Sequence, residues 1–261
     1  MRAVQEKITP DIARRYLEKN KTNRSLRASV VDRFATDMRL GMWKETHQGI
    51  AFDVDGQLVD GQHRLSAIVK SETTQIITVT YGVPPESKSA VDNGFARYGV
   101  DVLYFAGNSV TKRYSAALRI FLNGVKNTGA GRISNTYLVV QNKKYGESIY
   151  FSDNSVFKVP GIGQASVCAA IARAWYYVPE LRLQEFCDLL NRGLIGDNKE
   201  DRTVIALRDF LLNCRFSTTG SGAQSMIFLK TQRAIDAFAR KEVLTKAVSA
   251  KDDLFPLKDL I

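Results

Sequence analysis

The residues of this chain best suited to chemistry stand five in a row: Asp60, Gly61, Gln62, His63 and Arg64. A strand-like stretch, Gln57-Leu58-Val59, runs into them, and the apolar residues Leu65, Ala67, Ile68 and Val69 follow at helical spacing. A glycine between a strand and a helix lets backbone approach an anion. The first N–H groups of the helix then point outward, and His63 and Arg64 add donors that can carry charge. That is the chemistry of phosphate binding, with Gly61, Gln62, His63 and Arg64 as the contacting positions. Asp60 has three roles open to it: capping the helix, holding His63 or Arg64, or ligating a metal that accompanies the phosphates. The plainer alternative is an ordinary Asp-Gly turn, with Arg64 on a solvated helix face and His63 partly buried.

The surrounding pattern supplies the elements that would position this turn. The first 40 residues read as helical, with one stripe through Ile12, Tyr16 and Leu17 and another through Leu26, Val30, Val31, Phe34 and Met38. Asp11 and Ser25 are the expected caps, and Gly41 ends the second helix. The period then changes. Residues 49–53 and 57–59 flank Val54-Asp55-Gly56 and read as a hairpin, because glycine accepts a positive φ. After the short helix behind Arg64 comes a β-branched strand over 75–81, stopped at Gly82, and Pro84-Pro85 opens a further helix. From about residue 100 strand signals nearly vanish, apart from an ambiguous stretch at 148–158. Helical stripes run over 100–106, 110–125, 133–144, 164–177, 180–194, 200–213 and 224–247. Loops at 127–131, 196–198 and 217–222 separate them, and no internal repeat is visible. The expected fold class is α+β: a small α/β module over 1–107 followed by an all-helical domain over 108–261.

Charge is uneven along the chain. Up to residue 110 there are 15 Lys and Arg against 13 Asp and Glu, and beyond it 22 against 14, so +8 of the net +10 lies in the C-terminal part. Such an excess attracts phosphate surfaces. Lys112, Arg113, Lys143, Lys144 and Arg233 are the candidate DNA contacts. Tyr137, Tyr145, Tyr150, Trp175, Tyr176 and Tyr177 are of a type that stacks on bases, although their helical spacing suits core packing. No apolar run approaches the roughly 18 residues that cross a bilayer, and the N-terminus lacks the apolar core of a signal peptide, so a cytoplasmic chain without a membrane partner is expected. Cys168, Cys187 and Cys214 have no CxxC spacing and read as buried thiols. The last residues, 250–261, carry spaced apolar side chains that dock on a partner or on their own domain.

The pattern GIAFDxDGxLVDGQHRLxA resembles the nucleotide-binding core of the ParB/sulfiredoxin-like superfamily, in the branch found in phage and bacterial proteins. The likeness spans about residues 5–100, including Asn23-Arg24-Ser25-Leu26 and the Pro-rich turn. In that superfamily a glycine-containing turn ending in Arg, written GERR in ParB proteins and GCHR in sulfiredoxins, contacts nucleotide phosphates. Gly61, His63 and Arg64 fall on those positions. The resemblance also implies a polar residue facing the nucleotide near the first strand, for which Glu45, His47 and Gln48 are placed, and a further pattern at Asp92-Asn93-Gly94 with Arg97. Two departures narrow it. Gln62 stands where sulfiredoxins carry their cysteine, which excludes sulfinic acid reduction, and no helix-turn-helix centromere reader is recognisable in 108–261.

Four functions compete on this reading. One is a DNA-associated protein that binds a nucleoside triphosphate, ATP or CTP, with Mg²⁺, with hydrolysis of it left open. A second is a metal-dependent nuclease in which Asp60 holds the ion that activates water. Asp53 and Asp55 bracket the hairpin, where Asp serves conformation, so Asp60 alone is carried as a metal ligand. A third is a kinase for a hydroxyl on a metabolite or modified nucleotide, with Glu45 or Asp60 as the catalytic carboxylate. The fourth is a nucleotide-independent factor that binds DNA or protein. Partners expected are DNA, the nucleotide and a second copy in a homodimer.

Overall fold

The computed structural model describes the chain apart from residues 22, 24, 85–98, 127–132, 195, 215–219 and 258–261 and the side chain at 105. It is an α+β protein with one small four-stranded sheet near the N-terminus and helices in the C-terminal part. The chain divides into two compact units. The first comprises Met1–Arg97 with Gly131–Tyr137, and the second Tyr98–Ala130 with Leu138–Ile261.

In the first unit the strands β1 (Arg2–Ile8), β2 (Ile50–Asp53), β3 (Leu58–Asp60) and β4 (Gln75–Val83) lie in the order β1-β4-β2-β3. β1 runs antiparallel to β4 and β2 parallel to it, while β2 and β3 form the expected hairpin. Asp53 shapes that hairpin's turn: its Oδ1 accepts from the N–H of Asp55 at 3.0 Å and of Gln57 at 2.7 Å. The helices are α1 (Pro10–Leu17), α2 (Ala28–Arg39) and α3 (Gln62–Ser71). Ile8, Ile50, Phe52, Leu58, Ile77 and Val79 from the strands share one core with Ala13, Val31, Ala35, Met38, Leu65 and Ile68 from the helices.

Four expectations need correction here. Residues 2–8 are a strand, not part of a helix. Val4, Glu6 and Ile8 share the inward side, and Glu6 breaks the apolar alternation that would have marked a strand. It is accommodated because the Tyr16 and Tyr81 hydroxyls each donate to its carboxylate at 2.7 Å. α1 is capped by Thr9, whose hydroxyl accepts from Ile12 N at 3.2 Å with Pro10 next in line, while Asp11 sits inside the first turn and pairs with Arg14. α2 starts beyond Ser25, at Ala28, and has no side-chain cap. β4 continues through Gly82, which takes φ +75, to Val83. The helix expected after Pro84 and the pattern from Asp92 to Arg97 lie outside the described residues.

The second unit holds α4 (Gly99–Phe105), α5 (Lys112–Asn123), α7 (Ala165–Ala174), α8 (Glu180–Arg192), α9 (Asp201–Leu212) and α10 (Ser221–Ala239), together with all but the first turn of α6 (Asn135–Ser155). No strand occurs among its described residues, and the ambiguous stretch is helical to Ser155. The last stripe is shorter than its periodicity suggests, because α10 ends at Ala239 and Lys241 takes φ +60. α7 is the central helix: Ala169, Ala170, Ala172 and Ala174 are fully buried, and such small side chains let α5 and α10 pack closely on it. The tail docks on its own unit. Phe255 is buried against Tyr177, and Arg173 donates to its carbonyl at 3.2 Å. Cys168 and Cys187 are buried as expected, whereas Cys214 is half-buried. Among the described residues no helix is long and apolar enough to cross a membrane.

Candidate functional site

The turn from β3 into α3 is built around Gly61. Asp60, the last residue of β3, is registered opposite Ala51 of β2, and Gly61 then takes φ +102. A Cβ on Gly61 would lie 2.9 Å from Ile50 Cγ1 and 3.1 Å from Ile50 Cα, so both conformation and space require glycine. α3 starts without a capping side chain. Its first regular bond runs from Leu65 N to Gly61 O at 3.0 Å, so Gln62, His63 and Arg64 make up the first turn of the helix. Of the three roles open to Asp60, the geometry shows the second. Its Oδ1 accepts from Gly61 N at 2.7 Å, and its Oδ2 is 3.6 Å from Arg64 Nη1.

The three side chains after Gly61 each fasten a different segment. Gln62, buried, accepts from Asn20 Nδ2 at 3.1 Å. Asn20 in turn accepts from Asn23 Nδ2 at 2.7 Å, and Asn23 also donates to Leu58 O at 2.7 Å. His63 Nε2 accepts from the backbone N–H of Arg27 at 3.1 Å, just ahead of α2. Arg64 donates from Nη1 to Gly49 O at 3.0 Å and from Nη2 to Gln48 Oε1 at 3.2 Å, with 13% of its side chain exposed. Gly49 is itself forced: a Cβ there would lie 1.8 Å from Thr78 O on β4.

Asp60, Gln48 and Arg64 are thus brought together, and Glu45 is not among them. Its carboxylate accepts from Gln5 on β1 at 3.1 Å and from Thr78 on β4 at 3.0 Å, which ties it to the sheet. These two neutral donors hold the Glu45 carboxylate, and among the described residues it makes no bond to Arg64. His47 is exposed. Among the described residues no three His, Cys, Asp or Glu side chains form a group that could hold a metal ion.

The basic residues of the second unit separate into two sets. Arg113 lies inside an ion pair, with Nε 2.6 Å from Asp153 Oδ1 and a further bond to Val156 O. Arg233 is held by Asp236 at 3.1 Å and Glu242 at 2.9 Å. Both guanidinium groups serve the fold, which leaves Lys112, Lys143 and Lys144 as the exposed members of the expected DNA-contacting set. The aromatic residues divide likewise. Tyr145 is buried, Tyr176 packs near Phe121 and Tyr145, and Tyr177 donates to Pro256 O at 2.6 Å, whereas Tyr150 is exposed. Sequence reasoning passed over Asn20 and Gly49. A polar run directly after an amphipathic helix and a glycine abutting a strand were the available signals.

No family model matches this chain, no curated protein matches it in sequence, and no solved structure matches it in fold.

Proposed function

We propose that the first unit binds a nucleoside triphosphate, ATP or CTP, by seating its phosphates on the 61–64 turn. The observation that carries this reading is a coincidence of two features in one place. A helix begins uncapped on a glycine at φ +102, and Arg64, in that same first turn, is fixed by Asp60, Gly49 and Gln48. Donors held in position before a ligand arrives lose little freedom on binding it, and a planar guanidinium suits phosphate oxygens. The likeness of Asp60 to Arg64 to the phosphate-contacting turns of the ParB/sulfiredoxin-like superfamily supports the same reading. On that likeness Mg²⁺ accompanies the phosphates, and Asp60 is the nearest carboxylate to share it. DNA contact through Lys112, Lys143 and Lys144 is the companion proposal, supported by the excess of 22 basic over 14 acidic residues beyond residue 110.

A second reading rests on the bonds of Gln62, His63 and Arg64 to three separate segments. In it the turn is a structural joint that clamps the loop after α1, the start of α2 and the lead into β2. Calorimetric titration with ATP, CTP and GTP plus Mg²⁺, for the native chain and Arg64→Ala, separates the two. Under the nucleotide reading one triphosphate binds and the variant loses at least tenfold in affinity while remaining folded by circular dichroism. Under the structural reading Arg64→Ala leaves triphosphate affinity unchanged, and the substitution shows only as a lower melting temperature.

A further inference from the structure

The second unit contains a cavity of about 780 Å³, bordered by the 108–110 loop, α6 and Trp175 just past α7. That volume lies within the range of small-molecule sites. One wall is aromatic: the Phe151 and Trp175 rings are 5.3 Å apart and inclined by 49°, and Tyr150 beside them keeps 67% of its surface in solvent. Another wall is a fixed amide. Asn142, 6% exposed, accepts from the Tyr114 hydroxyl at 2.7 Å and donates to Asn108 Oδ1 at 3.2 Å. That second bond uses one of its two amide hydrogens. Burial pushes the Tyr114 phenol up to about 12, so it remains a protonated donor at neutral pH and locks the orientation of the amide. On the rim, Lys143 and Glu147 stand one turn apart on α6. Both are exposed, and neither forms an ion pair among the described residues.

These groups together select a ligand. An aliphatic molecule would make no use of the second amide hydrogen of Asn142, and a bare anion would make no use of three aromatic rings. A planar heterocycle with N–H and carbonyl edges, joined to an anionic group, uses all of them. We propose that this cavity binds a nucleotide, with its base against Tyr150, Phe151 and Trp175, its edge read by Asn142 and Glu147, and its phosphate at Lys143. The site is independent of the 61–64 turn and uses no residue of the first unit. The nucleotide is either free or part of a single strand, since every base offers a stacking face in both.

The chain has two tryptophans, so in a Trp43→Phe variant the emission of Trp175 reports this cavity alone. That protein is titrated with AMP, GMP, CMP and UMP and, separately, with short single-stranded oligonucleotides. Quenching of Trp175 that saturates is expected. Tyr150→Ala and Lys143→Ala, both at exposed positions, should each weaken binding about tenfold, the loss expected for one base stack or one phosphate contact. Saturation by mononucleotides assigns the site to free nucleotide, and saturation by strands alone assigns it to single-stranded nucleic acid. The proposal is overturned if neither quenches Trp175 at millimolar concentration, if neither substitution changes the affinity, or if a neutral oligosaccharide binds in their place.

Discussion

Asp60 and Arg64 face each other across the strand-to-helix turn, with 3.6 Å between carboxylate and guanidinium, and the same carboxylate accepts from the N–H of Gly61 at 2.7 Å. One acidic side chain therefore closes the strand-to-helix turn and aims the cation that sits in it. Asp60→Asn keeps an acceptor for Gly61 N and removes the charge. The Asp60 side chain is about a third exposed, so the fold should lose no more than about 1 kcal/mol. Triphosphate affinity measured in EDTA should rise, because a negative charge next to the phosphates is gone. The gain in affinity that Mg²⁺ confers on the native chain should shrink in the variant, and a calorimetric titration with and without Mg²⁺ reads both effects.

Substitution of three glycines by alanine should give a graded series in urea denaturation. At Gly41, with φ +66 and nothing within 4 Å of a Cβ, only backbone strain of about 1 kcal/mol is expected. At Gly61 the clash with Ile50 at 2.9 Å adds to the strain at φ +102, for a loss of roughly 2–4 kcal/mol. Gly49→Ala, with its Cβ 1.8 Å from a β4 carbonyl, should be the most damaging of the three. Equal losses at Gly41 and Gly61 would contradict the close packing of the turn.

The hairpin and α3 were legible in the sequence because their signals are local: Asp53 and Gly56 set one turn, and Gly61 precedes an apolar helical stripe. β1 was not legible, since its inward Glu6 is explained only by Tyr16 and Tyr81, the latter 75 positions away. Much the same holds at the candidate site. The residue types of the turn can be read directly, but the bonds from Gln62 to Asn20 and from His63 to Arg27 join residues 42 and 36 positions apart. Arg113 shows the opposite error. A basic residue at a helix start suggests a DNA contact until Asp153, 40 positions on, is found beside it.

Asp37 provides a test by pH. Its carboxylate is buried and accepts from Ser134 Oγ at 2.6 Å; burial raises its pKa above the ordinary 3.8, against the pull of Ser134 and Arg33. The folded chain therefore holds this proton more tightly than the unfolded chain does. The group's contribution to stability is complete below the unfolded value and is lost as pH rises through the folded one. Asp37→Asn keeps an acceptor for Ser134 and cannot ionise. Urea midpoints measured from about pH 4 upward should fall less steeply with rising pH in the variant than in the native chain.

The thiols should react in two classes. Burial raises Cys168 to about 12 and Cys187 still further, and both are inaccessible in the core, while half-buried Cys214 lies at the end of α9. Titration with a disulfide reagent at neutral pH should release one equivalent promptly and the other two only on unfolding. Prompt release of all three would contradict the packing of α7 and α8.

The central claim, phosphates on the 61–64 turn, is tested most directly by following backbone amide resonances while ATP and then CTP are added with Mg²⁺. If the turn binds phosphate, the amides of Gly61, Gln62, His63 and Arg64 shift together and saturate, with Gln48 and Gly49 moving alongside them through Arg64. If a triphosphate saturates the protein while those amides stay where they are, or if no triphosphate shifts any resonance, the phosphate-binding account of the turn is wrong and it is a structural joint.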